Sequence, residues 1–267
     1  SARNAYVGPD NVAAGRTATI GTTDLAGWNG LRKQGGGTLV IESSNSYGGI
    51  TNIQAGSIKV KSDGALGSST WGNVVASGAN LTLENNITLT EGEIGISGTG
   101  TSGEGVITSS AGNNTIDSAI TVDNAATITA QTGSNVTYQG GGFSVNKNLT
   151  VAGAGNTTIN NQVYGSGSIT KTGTGTLTFD GSSSNSTSGG LNINEGTVVL
   201  ARTDGVSAAG QGVINIGDGS GAANSAVLRL GANHQIADYI TGINLADDGQ
   251  LDIGDFVETV NIIGGTG

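Results

Sequence analysis

Ile169-Thr170-Lys171-Thr172-Gly173-Thr174-Gly175-Thr176-Leu177-Thr178-Phe179 decides how this chain is read, because the pattern occurs twice. The other copy is Leu31-Arg32-Lys33-Gln34-Gly35-Gly36-Gly37-Thr38-Leu39-Val40-Ile41. Both run apolar, x, Lys, x, Gly, x, Gly, Thr, Leu, x, apolar. A second shared phrase follows each. It is Gly49-Ile50-Thr51-Asn52-Ile53-Gln54-Ala55-Gly56-Ser57-Ile58-Lys59-Val60 in one case and Gly190-Leu191-Asn192-Ile193-Asn194-Glu195-Gly196-Thr197-Val198-Val199-Leu200 in the other. A long-range repeat in a chain rich in Gly, Thr and Asn predicts stacked coils rather than a closed globule.

Working outward, apolar pairs at i and i+2 recur from about residue 38 onward. Leu39/Ile41, Ile58/Val60, Leu81/Leu83, Ile94/Ile96, Ile120/Val122, Val136/Tyr138, Leu149/Val151, Val198/Leu200 and Leu251/Ile253 are examples. Each pair puts two side chains on one face of a short strand. Gly, Asn, Ser and Asp fill the gaps, residues that accept positive φ or bond their own backbone. Hairpin meanders and a parallel β-helix both suit the short spacing. The β-helix is favoured because Asn-Gly and Asp-Gly hairpin signals are sparse, turn side chains are small, and the repeat offset crosses no domain break. Coils of roughly 20–25 residues at a strand spacing of about 4.8 Å give on the order of eleven coils, a rod roughly 50 Å long.

Two regions are set apart: 1–30, with Pro9 and Trp28, as an N-terminal cap or preceding coil, and 31–267 as a continuous β-helix with repeat units near 31–67 and 169–210. Asn261-Ile262-Ile263-Gly264-Gly265-Thr266-Gly267 looks like the start of a third Gly-x-Gly unit, which leads to the expectation that the coil continues or that another copy supplies it.

Composition narrows the function classes. The 267 residues include 49 Gly but only 1 Pro, so collagen and polyproline are excluded. Charged residues make up 11%, and the net charge is -10 with no basic run, which argues against a nucleic-acid partner. There is no Cys, hence no disulfide or thiolate metal site. With no Met either, Ser1 is expected to follow processing or excision. No apolar run reaches transmembrane length.

The run Lys171–Phe179, then Ser188-Gly189-Gly190 and Ile193–Val198, resembles the autotransporter-associated β-strand repeat of bacterial type V secreted proteins. The stretch 31–60 is similar to a second copy, with Gln34 and Gly36 departing from the usual Thr. The resemblance implies an all-β, right-handed parallel β-helix (a β-solenoid) in a passenger region. It also implies export through a C-terminal β-barrel that is not among these residues, and an extracellular or bacterial cell-surface location associated with the outer membrane. The repeat is thought to assist folding and transport and not to be itself a site.

Candidate chemistry is thin. A Ser-His-Asp site would need His234, whose neighbours Asn233, Gln235 and Asp238 suggest a turn. Asp247, Asp248, Asp252 and Asp255 cluster, as do Glu91, Glu93 and Glu104. β-Helix lyases and glycosidases use such carboxylates, but no Lys or Arg tracks them, so solvated turns are expected. Weak calcium binding near Asp247–Asp255 stays open, as does one calcium-type turn at Gly217–Gly221. The Gly-x-Gly motifs lack the strand–helix context of a phosphate loop. Asn80, Asn86, Asn135, Asn148, Asn156 and Asn185 begin Asn-x-Ser/Thr triplets, which matter only if the source glycosylates them. Trp71, Tyr47 and Tyr164 are expected in core or seams, with sugar stacking the alternative if exposed.

The expectation is a non-enzymatic structural or adhesive shaft, with a fibre built by end-to-end stacking as its variant. No residue is assigned to catalysis, cofactor or metal. The partner is a second copy or a cell-surface or polysaccharide ligand. The alternative is a polysaccharide-acting β-helix enzyme, a lyase or a glycoside hydrolase.

Overall fold

A computed structural model of the chain describes residues 11–260 and 263–265. Pro9, and the ends of the Asn261–Gly267 unit, lie outside the described residues. The fold is all-β, a parallel β-solenoid of about 11 turns. Its one described helical segment is a 3-10 turn at Thr101–Gly103.

Each full turn visits three faces. Face A stacks Leu31–Lys33, Thr51–Ile53, Asn73–Val75, Ile94–Gly98, the start of Ile120–Ala130, Phe143–Ser144, Val163–Gly165 and Ser186–Thr187. Face B runs from Thr17–Ile20 through Thr38–Ile41, Gly56–Val60 and later strands to Ile243–Leu245 and Ile263–Gly265. Face C begins at Thr88–Leu89 and ends at Gly249–Asp252. All of these neighbours are parallel. Faces A and B share the strand Ile120–Ala130, which rounds the corner with a register shift between Val122 and Ala126.

Period-2 alternation forces one side chain of each pair inward, and stacking turns those positions into columns. On face B the inward column reads Leu39, Ile58, Leu81, Ile107, Ile128, Val151, Lys171, Ile193, Ile216 and Leu245. All but Leu245 are buried. Each buried aliphatic contributes roughly 1.5–3 kcal/mol. Coil length varies, from 19 residues between Leu39 and Ile58 to 29 between Ile216 and Leu245, and the surplus is accommodated in loops at the corners.

One expectation changes. Leu251 is only half-buried and Ile253 is exposed, because among the described residues no strand lies on the far side of Gly249–Asp252. The stacking begins at Thr17, within the stretch 1–30 read as a cap or preceding coil.

Candidate functional site

The two repeat copies build the same device around a buried lysine. Lys33 is fully buried, and its Nζ donates to the carbonyls of Gln34 (2.9 Å), Gly35 (2.8 Å) and Ala55 (3.0 Å). Lys171 donates to Thr172 (2.8 Å), Gly173 and Glu195 (3.4 Å). An ammonium has three protons and no acceptor, so three carbonyls satisfy it. Two come from the turn just after the lysine and the third from the next coil. The stem of Lys171 replaces an aliphatic between Val151 and Ile193, packing its methylenes into the column.

Glycine is required where the next coil passes the ammonium. Gly56 and Gly196 have φ of 64° and 78°. A Cβ on either would stand 2.8 Å from the lysine Nζ. Burial lowers the pKa of Lys33, and lowers Lys171 to about 8 against the opposing pull of Glu195.

Two more polar ties cross the coils. Asn45 accepts from Leu25 N (2.9 Å) in the coil before and donates to Ala65 O (2.7 Å) in the coil after. Asn185 repeats this with Val163 N (2.9 Å) and Ala208 O (2.6 Å). Arg202, also buried, donates to the carbonyls of Asn160 (3.3 Å), Asp180 and Asn161 (2.6 Å) and to Asn185 Oδ1 (2.7 Å). Burial lowers its pKa to about 10, with Asp180 opposing.

The residues singled out from the sequence do not converge. His234 is an exposed turn residue with φ of 53°. Asp248 is not a solvated turn: it is buried, and its Oδ1 accepts from Gly219 N at 2.8 Å, fastening the Gly217–Gly221 loop. That hydrogen bond holds its pKa down. Asp252 accepts from Arg229 Nε (2.8 Å), which lowers its pKa, while Asp247 and Asp255 are exposed. Glu91 also departs from the solvated expectation. It is buried, accepts from Leu66 N (3.1 Å), and burial raises its pKa. Glu93 and Glu104 face solvent. Among the described residues no three His, Asp or Glu side chains gather in a way that could hold a metal ion. Asn80 and Asn185 are buried; Asn86, Asn148 and Asn156 are exposed and Asn135 is half-buried.

The aromatics split. Tyr47 is buried, its hydroxyl 2.5 Å from Thr51 Oγ1. Trp71 and Tyr164, expected in core or seams, are 84% and 41% exposed. Trp71 sits on a corner turn two residues longer than its counterpart in the coil before. The buried Lys33, Lys171 and Arg202 were missed from sequence. Each nevertheless falls in the inward phase of an alternating strand: Leu31-x-Lys33, Ile169-x-Lys171 and Leu200-x-Arg202.

Residues 31–60 and 169–200 match the family described as Passenger-associated-transport-repeat. The chain is also 35% identical over 112 residues to the adhesin BmaC autotransporter of Brucella suis biovar 1 (strain 1330). That match covers 37% of this chain and 3% of the relative. No solved structure matches. The chain thus carries two autotransporter passenger repeats, and its β-solenoid fits a passenger region. No helix among the described residues is long and apolar enough to cross a membrane.

Proposed function

We propose that this chain is a rigid, adhesive shaft in the passenger region of a secreted bacterial protein held at the cell surface. The observation that carries this is the pair of passenger repeats, each locked into an unbroken parallel stack by its own buried lysine. The adhesin relative supports the same role. Backbone pairing along one axis resists bending and pulling, which suits a spacer that presents a binding side away from the cell. In the C-terminal acidic cluster Asp248 fastens a loop and Asp252 pairs with Arg229, which supports a structural role for that cluster over catalysis. Beads coated with the folded chain are expected to adhere to epithelial cell layers or to polysaccharide-coated glass. Retention no better than that of beads coated with the heat-unfolded chain on every surface would overturn the adhesive role. End-to-end fibre formation is a finer version, supported by the open backbone of a parallel rung. Filaments in negative stain would support it, and rods of about 50 Å would count against it.

A further inference from the structure

Among the described residues, exposed large apolar side chains are not scattered over this solenoid. Trp28, Trp71, Val74 and Tyr164 lie on face A or on the corner leading into it. The others, Tyr239, Ile253, Val257 and Ile263, lie in the last coils. The two tryptophans are the only ones in the chain and are 94% and 84% exposed.

Registry places both on one corner. Arg32, Asn52 and Val74 are successive partners on face A. Trp28 comes four residues before Arg32 and Trp71 three before Val74. Trp71 therefore lies on the corner two coils from Trp28, about 10 Å along the axis, and three residues nearer face A, since Gly48 N bonds Gly27 O and Ser68 N bonds Tyr47 O, which sets Ser68 in register with Trp28. Between them the coil is Gly48-Gly49. A Cβ on Gly48 would stand 3.8 Å from Trp28 Cε3, so that ring leans over it. A Cβ on Gly49 would meet Gly30 N at 2.3 Å, so the floor there must stay bare backbone.

Polar groups stand on the neighbouring rungs. Glu93 flanks Gly72 and accepts from Thr121 Oγ1. The Asp123 carboxylate lies over Gly95, 2.5 Å from where a Cβ would be. Asn52 is half-exposed on the same face.

We propose that this corner is a stacking platform for a neutral polysaccharide lying along the solenoid axis, its sugar rings on Trp28 and Trp71. Glu93 and Asp123 then accept hydrogen bonds from its hydroxyls. A flat, solvated indole takes the C–H face of a pyranose, and the glycine floor lets an extended chain lie close. The two-coil interval suits rings two sugar units apart. A net charge of -10, with Glu93 and Asp123 at the site, repels uronates, sialates and nucleic acid. The proposal rests on the adhesive role and names its ligand class.

Because both tryptophans are on the platform, intrinsic fluorescence of the whole chain reports on it directly. Titration with laminarin, cello-oligosaccharide, galactan and mannan should give a saturable emission shift for at least one of them. Added salt should leave the shift unchanged. Trp71→Ala and Trp28→Ala should each weaken binding about tenfold. Tyr239→Ala, at a distant exposed ring, should do nothing. Rings this exposed can be removed without unfolding the chain. No shift with any neutral polysaccharide, salt-sensitive binding to alginate instead, or binding that survives loss of both tryptophans would overturn the platform. Beads that adhere equally well with the double variant overturn the platform and leave adhesion standing. Beads that adhere to nothing while the titration still saturates do the reverse.

Discussion

The repeat at 31–60 and the repeat at 169–200 build one cage in two settings. Locally they match acceptor for acceptor: two carbonyls of the following turn, one of the next coil, and a positive-φ glycine beside the ammonium. Globally they differ. Lys33 stands on face A and Lys171 on face B, six rung steps and one face later. Lys171 also has stacked strands on both sides, whereas beneath Lys33 the described pairing is the single bridge Asn11–Gln34. The motif therefore specifies a turn and a tie between coils, not a side of the solenoid.

The sharpest way to break the comparison is to remove each lysine. Lys171→Ala leaves three carbonyls without their donor and a void in the column, a loss of about 3 kcal/mol. Lys33→Ala, near the end of the described stack, should cost about half as much. Urea midpoints measure both, and equal losses would show that position in the stack does not matter. Gly196→Ala comes next, at about 2 kcal/mol, since it forces a side chain into positive φ against the ammonium. Gly56→Ala should follow it at smaller amplitude in the same assay.

Asn185→Ala should cost about 1.5 kcal/mol and Asn45→Ala about 1 kcal/mol by thermal melting. Both strand a coil-bridging N–H and carbonyl, but Asn185 also serves Arg202. Identical melting shifts would deny that extra tie.

Titration separates the cages more gently. The folded pKa of Lys171, about 8, lies below that of the unfolded chain. Below pH 8 both states hold the proton and the stability contribution is flat. From pH 8 toward the ordinary lysine range the unfolded chain holds more protons, so this group makes stability rise with pH. Urea midpoints from pH 7 to about 9.5, short of tyrosine ionisation, should rise, and Lys171→Met should flatten the slope. A slope untouched by that substitution would assign it to another group. Smallest is Asn215→Ala, in the outward amide ladder Asn192–Asn215–Asn244, at about 0.5 kcal/mol. A loss beyond 2 kcal/mol would make that ladder a second structural spine.

Much of this fold was legible in alternation alone. Leu39/Ile41, Ile58/Val60 and Val198/Leu200 announce inward pairs because a period of two permits nothing else. Which face each pair joins was not legible, since coils of 19 to 29 residues carry the phase through corner loops of unequal length. The buried cations were legible in principle, each taking an inward slot after an apolar residue. A lone lysine is nevertheless ordinarily solvated, and only the next coil supplies its third carbonyl. Trp71 escaped because it lies on a corner turn outside the strands, where a period of two assigns no inward or outward phase.

The ammonium groups of Lys33 and Lys171 sit where some solenoids place a bound metal ion, among carbonyls of adjacent turns. Here the cation is covalently part of the chain. Dilution cannot wash it out and chelators cannot strip it, so the tie between coils does not depend on the mineral content of the solution.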